Sequence, residues 1–261
     1  MTKLMGVVNV TPDSFSDGGL YLDPEAAIAH GRELAAAGAE ILDVGGESTR
    51  PGAAPVDEAE ELRRVVPVIQ ALADLDCEIS IDTSKAAVAA AALDAGATIV
   101  NDVTALRGDP GMAGLCAERG CGVVLMHMLG EPRTMQEDPR YDDVVAEVKA
   151  FLAGRLEAAV AAGISEERVW LDPGIGFGKT AAHNLELLRR LGELRELGRP
   201  LVVGTSRKSF IGRIDGSAAD ERLGGTIASS LLAAAEGAEV LRVHDVAELR
   251  QALTVAAAIL G

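Results

Sequence analysis

Residues able to do chemistry recur along this chain at the ends of short apolar runs. Asn9 ends MGVVN, Asp43 follows EIL, Asp82 follows EISI, Asn101 and Asp102 follow ATIV, His127 follows GVVLM, Asp172 follows RVWL, and Arg242 and His244 stand in VLRVH. They form two groups. Asp82, Asn101 and Asp172 offer acceptors and one amide, which suits a flat heterocycle presenting an amino group beside ring N–H donors, because a carboxylate accepts two such bonds at once. Arg50, Lys208, Arg242 and His244 offer donors, which suits an anion. The stretch SRKS (206–209) is expected to open a helix, whose N-terminus favours negative charge. Nothing resembles a Ser-His-Asp or Cys-His arrangement, so nucleophilic catalysis by a side chain is not expected.

The elements that must position these groups alternate from end to end. Eight strands are expected, over 3–9, 39–44, 77–82, 97–102, 121–127, 168–172, 200–204 and 238–244. Between them lie helical patterns. Leu62, Val65, Val66, Ile69 and Leu72 share one face at the 3.6 period, as do Val246, Leu249, Leu253 and Leu260. Asp57 and Asp245 read as N-caps, and Pro67 is expected to kink or shorten its helix. Strands covered on both faces by intervening helices imply a parallel sheet. The economical closure is a single-domain (β/α)8 TIM barrel over residues 1–261, with an open doubly wound sheet as the other arrangement. In such a barrel the polar strand ends all meet at one mouth, and strands seven and eight commonly bind phosphate there.

Composition narrows the partners. The chain has 261 residues, 48% of them apolar, and a formal net charge of −16, which disfavours nucleic acid and anionic membranes. No apolar run nears the roughly 20 residues of a membrane span, and the start lacks a secretory pattern. A cytoplasmic protein is expected. Cys77, Cys116 and Cys121 have no metal-ligand spacing and read as buried thiols.

Eight segments, GVVNVTPDSFSDGG (6–19), GGESTRPGA (45–53), IDT (81–83), VND (100–102), LMHM (125–128), DPGIGFGK (172–179), GTSRKSF (204–210) and RVHD (242–245), in this order together resemble the dihydropteroate synthases over the whole chain. That resemblance implies condensation of 6-hydroxymethyl-7,8-dihydropterin diphosphate with p-aminobenzoate, yielding 7,8-dihydropteroate and pyrophosphate with Mg²⁺ in folate synthesis. It implies a pterin pocket of Asp82, Asn101, Asp172 and Lys208, with Met126 and Phe177 nearby and the glycines of 174–178 letting backbone approach closely, and it counts Gly204 among the substrate-binding residues. By the same resemblance Asn9, Arg242 and His244 hold the diphosphate, and Asn9 and Asp17 contact the metal. Thr49, Arg50 and Ser206 surround the second substrate, while Phe15, Asp17 and Pro51 lie on mobile loops. A homodimer and sulfonamide sensitivity are further expectations. Three of the four Phe, Phe15, Phe177 and Phe210, fall inside these segments, which favours a wall of the second site for Phe177 over a core side chain.

Two other readings stand beside this one. A methyltetrahydrofolate-binding methyltransferase barrel shares the Asp and Asn residues that grip a pterin, but has no use for the diphosphate-binding Arg50, SRKS and RVHD. An inactive pterin-binding paralogue is expected to lose parts of the loops or anion site, and no such departure is visible.

Overall fold

The computed structural model describes residues 2–11, 24–48, 53–131 and 133–261. Its strands are β1 (Lys3–Asn9), β2 (Ile41–Gly45), β3 (Glu78–Asp82), β4 (Ile99–Asp102), β5 (Gly122–Met126), β6 (Val169–Asp172), β7 (Val202–Val203) and β8 (Val240–Val243). All neighbours pair in parallel, in the order β6-β5-β4-β3-β2-β1-β8-β7. A parallel bridge between Leu171 and Leu201, with the Leu171 N–H donating to the Pro200 carbonyl at 2.9 Å, joins the two ends. The sheet is therefore a barrel, and the open doubly wound arrangement is excluded.

Side-chain parity explains both faces. Outward residues such as Leu4, Val8, Leu42, Val44, Ile81, Leu125, Leu171 and Leu241 are buried under the helices in one continuous cluster. Fully burying such a side chain contributes about 1.5–3 kcal/mol. Inward residues follow the period of two and change character along each strand. Met5, Ile41, Ile99, Val124, Val202 and Val240 form an apolar plug, with Trp170 against it. Two residues further on, the inward positions become Asp43, Asn101, Asp172, Gly204 and Arg242. One end of the barrel is thus filled and the other is polar.

The helices are α1 (Pro24–Ala36), α2 (Glu58–Leu72), α3 (Ala86–Asp94), α4 (Met112–Arg119), α5 (Val144–Ala161), α6 (Ala181–Arg189), α7 (Ser209–Asp215), α8 (Leu223–Ala235) and α9 (Val246–Leu260). Among the described residues none is long and apolar enough to cross a membrane. The expected cap at Asp57 forms, its carboxylate accepting from the Glu60 N–H at 2.8 Å. Pro67, however, sits inside an uninterrupted α2. Its ring faces solvent, where the carbonyl deprived of an N–H partner can bond to water. The seventh strand is shorter than expected: Pro200 has no N–H, and the Leu201 N–H donates to the Glu239 carboxylate at 2.7 Å instead of to the sheet.

Asp57→Ala removes the α2 cap, an expected loss of about 1 kcal/mol. Thermal unfolding should show a midpoint lower by roughly 2–4 °C, and an unchanged midpoint would mean that the cap contributes nothing here.

Candidate active site

At the polar end, charges that arrive on separate strands interlock. Arg242 on β8 donates from Nε to Asp43 Oδ2 on β2 at 2.6 Å and from Nη2 to Asp82 Oδ2 on β3 at 3.0 Å. Asn101 on β4 donates to the same Asp43 oxygen at 3.1 Å. The donor and acceptor groups distinguished in the sequence therefore meet directly. Burial and the neighbouring Asp43 carboxylate push Asp82 up to about 7, with Arg242 pulling the other way. Arg242 itself is held above its ordinary value by the two carboxylates, which outweigh its burial. Asp43 is fully buried and among the described residues its Oδ1 has no hydrogen-bond partner, nor has Ser80 Oγ beside it. Asp43 stands among the strand-end residues of the sequence but carries no expected role there, although its charge inside ILDVG and its parity with the inward Ile41 signal a place on the floor.

Asp172 ends β6 paired with Met126 of β5. Its Oδ1 accepts from the Gly174 N–H at 2.7 Å, and burial raises its pKa against the pull of that N–H, Lys208 and Arg242. Beyond it, Gly174, Gly176 and Gly178 have φ of +65°, +85° and +61°, a region costly for side-chain-bearing residues. A Cβ on Gly174 would lie 1.9 Å from the His127 carbonyl oxygen, and one on Gly178 2.4 Å from the Leu129 carbonyl. The close backbone approach expected of these glycines is thus to the segment after β5. The loop presents Phe177, packed against Val103, Met126, Met128 and Met135. Lys208 Nζ stands 4.1 Å from its ring centroid.

The anion side gathers at β7 and β8. Ser206 Oγ lies 3.0 Å from His244 Nδ1 and accepts from the His244 N–H at 3.3 Å. Burial, with Arg242 and Arg207 nearby, draws His244 down to about 3. Gly204 lies beside Arg242, where an added Cβ would be in ordinary contact with the Arg242 Cβ at 3.7 Å. SRKS leads into a helix, but α7 starts only at Ser209, and Arg207 has a left-handed φ of +57°. Asp245 makes no side-chain cap on α9, because its carboxylate pairs with Arg207 Nη2 at 2.5 Å. Asn9 is half-buried at the end of β1. Phe15, Asp17, Thr49, Arg50 and Pro51 lie outside the described residues. A cavity of about 320 Å³ opens beside the floor, lined by Asp82, Thr83, Val103 and Met128 among others. Behind it Lys85 bridges Glu47 and the fully buried Glu61, and Arg64 donates to the Gly46 carbonyl at 2.8 Å, so the GGE turn is held from below. The sequence reading contained neither cation.

A closed parallel barrel with a carboxylate-and-amide floor is the architecture of enzymes that grip a pterin, and known proteins agree. The pterin binding enzyme family matches residues 5–244. Dihydropteroate synthase of Escherichia coli K12 is 49% identical over 259 residues, covering 99% of this chain and 92% of that protein. Dihydropteroate synthase of Xanthomonas albilineans, solved with 4-aminobenzoic acid, has a TM-score of 0.94 at 52% identity, covering 100% of this chain and 93% of that one. The same organism's enzyme in complex with 7,8-dihydropteroate has a TM-score of 0.91 at 49% identity, covering 100% of this chain and 94% of that one. The chain belongs to the pterin binding enzyme family, and within it to the dihydropteroate synthases. It is a transferase, and neither the methyltransferase barrel nor the inactive paralogue is favoured.

Because His244 is drawn well below the ordinary imidazole value of 6.5, to about 3, it stays neutral at any pH above that. Its ring resonances should be flat in an NMR titration between about pH 5 and 8, and a midpoint near 6.5 would contradict the buried, cation-flanked environment.

Proposed function

We propose that this barrel joins 6-hydroxymethyl-7,8-dihydropterin diphosphate to p-aminobenzoate and releases pyrophosphate. The observation that carries the reading is the meeting of Asp43, Asp82 and Arg242 at the mouth that also holds Asp172. Asp172, Asp82 and Asn101 accept from and donate to the edge of the pterin ring, Met126 lies beside it, and Lys208 and Phe177 stand between it and the neighbouring p-aminobenzoate site. Arg242, His244 and Asn9 face the diphosphate. An arginine has five N–H donors, and the two bonds to Asp43 and Asp82 use only part of that capacity. Ser206, with Gly204, Thr49 and Arg50, serves the second substrate, and Phe15, Asp17 and Pro51 belong to the loops around it.

Charge dictates the order of events. The C–O bond breaks with its electron pair leaving on the diphosphate, and positive charge spreads over the dihydropterin. Asp82 and Asp172 favour that cation, while Arg242 favours the departing anion. Neutral His244 donates a hydrogen bond to it. The aniline nitrogen then attacks the carbon, forms the C–N bond and gives up a proton to solvent. No strong base is required, in keeping with a neutral His244.

Mg²⁺ belongs to the same reading. It is a hard ion that keeps several waters and binds through one or two protein oxygens plus substrate phosphates. The Asn9 side-chain oxygen fits that demand, with Asp17 as a second donor. When bound, the ion offsets charge on the diphosphate. Two copies of the chain pairing through α8 and α9 would cover Leu232, Val255 and Ile259, which are 65%, 54% and 78% exposed. A cytoplasmic location accords with small, soluble substrates.

Purified protein supplied with Mg²⁺ and both substrates should release pyrophosphate, and no release at high enzyme concentration would overturn the proposal. Asp172→Asn should weaken pterin binding about tenfold or more, as expected for a lost charged hydrogen bond. Arg242→Lys, which keeps a cation beside Asp43, should mainly weaken pyrophosphate binding. Calorimetry giving the same loss for both ligands in both variants would refute this division.

A further inference from the structure

Lys179 closes DPGIGFGK, and no step of the proposed reaction uses it. Its side chain is only 2% exposed. Its Nζ lies 2.9 Å from the Gly174 carbonyl oxygen, 2.9 Å from the Phe177 carbonyl oxygen and 2.8 Å from His127 Nδ1. An ammonium has three donors and no acceptor capacity, and these three short contacts can take all of them, with the His127 carbonyl oxygen a longer fourth neighbour at 3.5 Å. His127 must then accept at Nδ1, which fits a ring that burial and Lys179 draw down to about 3. Burial also draws Lys179 down to about 7, against the pull of Asp172. An ammonium in such a place costs several kcal/mol in lost hydration unless its bonds are well made.

All that bonding serves one loop. The Gly174 carbonyl also accepts from the Phe177 N–H at 3.0 Å, closing the turn that Lys179 holds. From the other side Gln136 donates to the Gly176 carbonyl at 2.6 Å, Tyr141 to the Gly178 carbonyl at 2.8 Å, and the Asn184 side chain accepts from the Gly176 N–H at 2.7 Å. Three glycines in left-handed conformations offer no side chains to pack, so the loop's shape must come from its carbonyls and N–H groups. Its product is the Phe177 ring beneath Lys208, with Gly176 against the Lys208 stem.

We infer that Lys179 is a positioning residue: its ammonium clamps the 174–177 turn so that Phe177 and Lys208 stand together as the wall of the p-aminobenzoate site. The identity of that ligand rests on the proposed function, whereas the clamp does not. Asp172 is tied to β5 through its carbonyl, which accepts from the His127 N–H at 2.9 Å, and touches the turn only at its first residue, where Gly174 N–H donates to its carboxylate at 2.7 Å, so pterin capture depends less on residues 175–177.

Lys179→Met keeps the length and removes all three donors. In the full chain it should raise the KM for p-aminobenzoate about tenfold or more while changing that for the pterin diphosphate by less than about threefold. Hydrogen exchange should quicken about tenfold or more at the amides of 176–178 and stay unchanged along β5. An aminobenzoate KM near the wild-type value, equal rises in both KM values, or unaltered exchange at 176–178 would each overturn the inference. If the wild-type chain releases no pyrophosphate, the synthase reading fails while the exchange measurement still decides the clamp. If Lys179→Met does not fold, His127→Leu removes the side-chain acceptor, and the same shifts in smaller measure are expected; exchange identical to wild type would overturn the inference.

Discussion

Arg242 reaches across the inside of the barrel to two buried carboxylates from different strands, and much of the layout follows from keeping those three charges together. Its strand, β8, is separated from Asp43 on β2 by β1, and from Asp82 on β3 by two strands. Such a chord is possible only where the sheet curves round on itself. Removing one member of a buried ion pair leaves the others uncompensated, typically a loss of about 3–5 kcal/mol. The apolar plug of Met5, Ile41, Ile99, Val124, Val202 and Val240 keeps the charges at one end. Fold and site are thus tied by the same few inward positions.

Global and local charge run in opposite directions. The chain carries −16 overall, yet Lys208, Arg242 and Arg207 gather near the β7 and β8 ends. Those cations are not loose surface charges. Arg207 is bound to Asp245, Arg242 to two aspartates, and Lys208 stands over an aromatic ring. Groups already oriented before a ligand arrives need little reorganisation as charge develops, which is the main source of electrostatic stabilisation in enzymes. The neutral state of His244 belongs to the same arrangement, since three cations and a dry setting leave no room for a fourth charge.

Much of this was readable from residue order. Strand β1 spans the residues expected of it, and Asn9, Asp43, Asp82, Asn101, Asp172 and Arg242 share one inward parity and converge at one mouth, whereas Asp102 and His127, one residue out of phase, turn outward, Asp102 to the Thr104 and Leu106 N–H groups and His127 against Phe151 of α5. Errors arose where a distant partner decides. Asp245 looks like a helix cap until Arg207, 38 residues earlier, takes its carboxylate. The strand at Leu201 is cut short by Glu239, 38 residues away. Asp43 hides inside an apolar run, and its importance lies in Arg242, 199 residues further along. Lys179 carries no expectation of its own in the sequence, since its acceptors are mostly backbone carbonyls that no residue letter displays. Phe15, Asp17, Thr49, Arg50 and Pro51 are known from the sequence alone.

The glycine loop after β6 has its path set almost wholly by main-chain groups, held by Lys179, Gln136, Tyr141 and Asn184. Phe177 contributes its carbonyl to that frame and its ring to the apolar patch of Val103, Met126, Met128 and Met135, the proposed wall of the second site, and these are separate duties. Replacing the ring therefore alters what the wall selects without unseating the scaffold that carries it. A site built this way can drift in preference by a single exchange, and that freedom is as open to a change that excludes an inhibitor as to one that admits a new substrate.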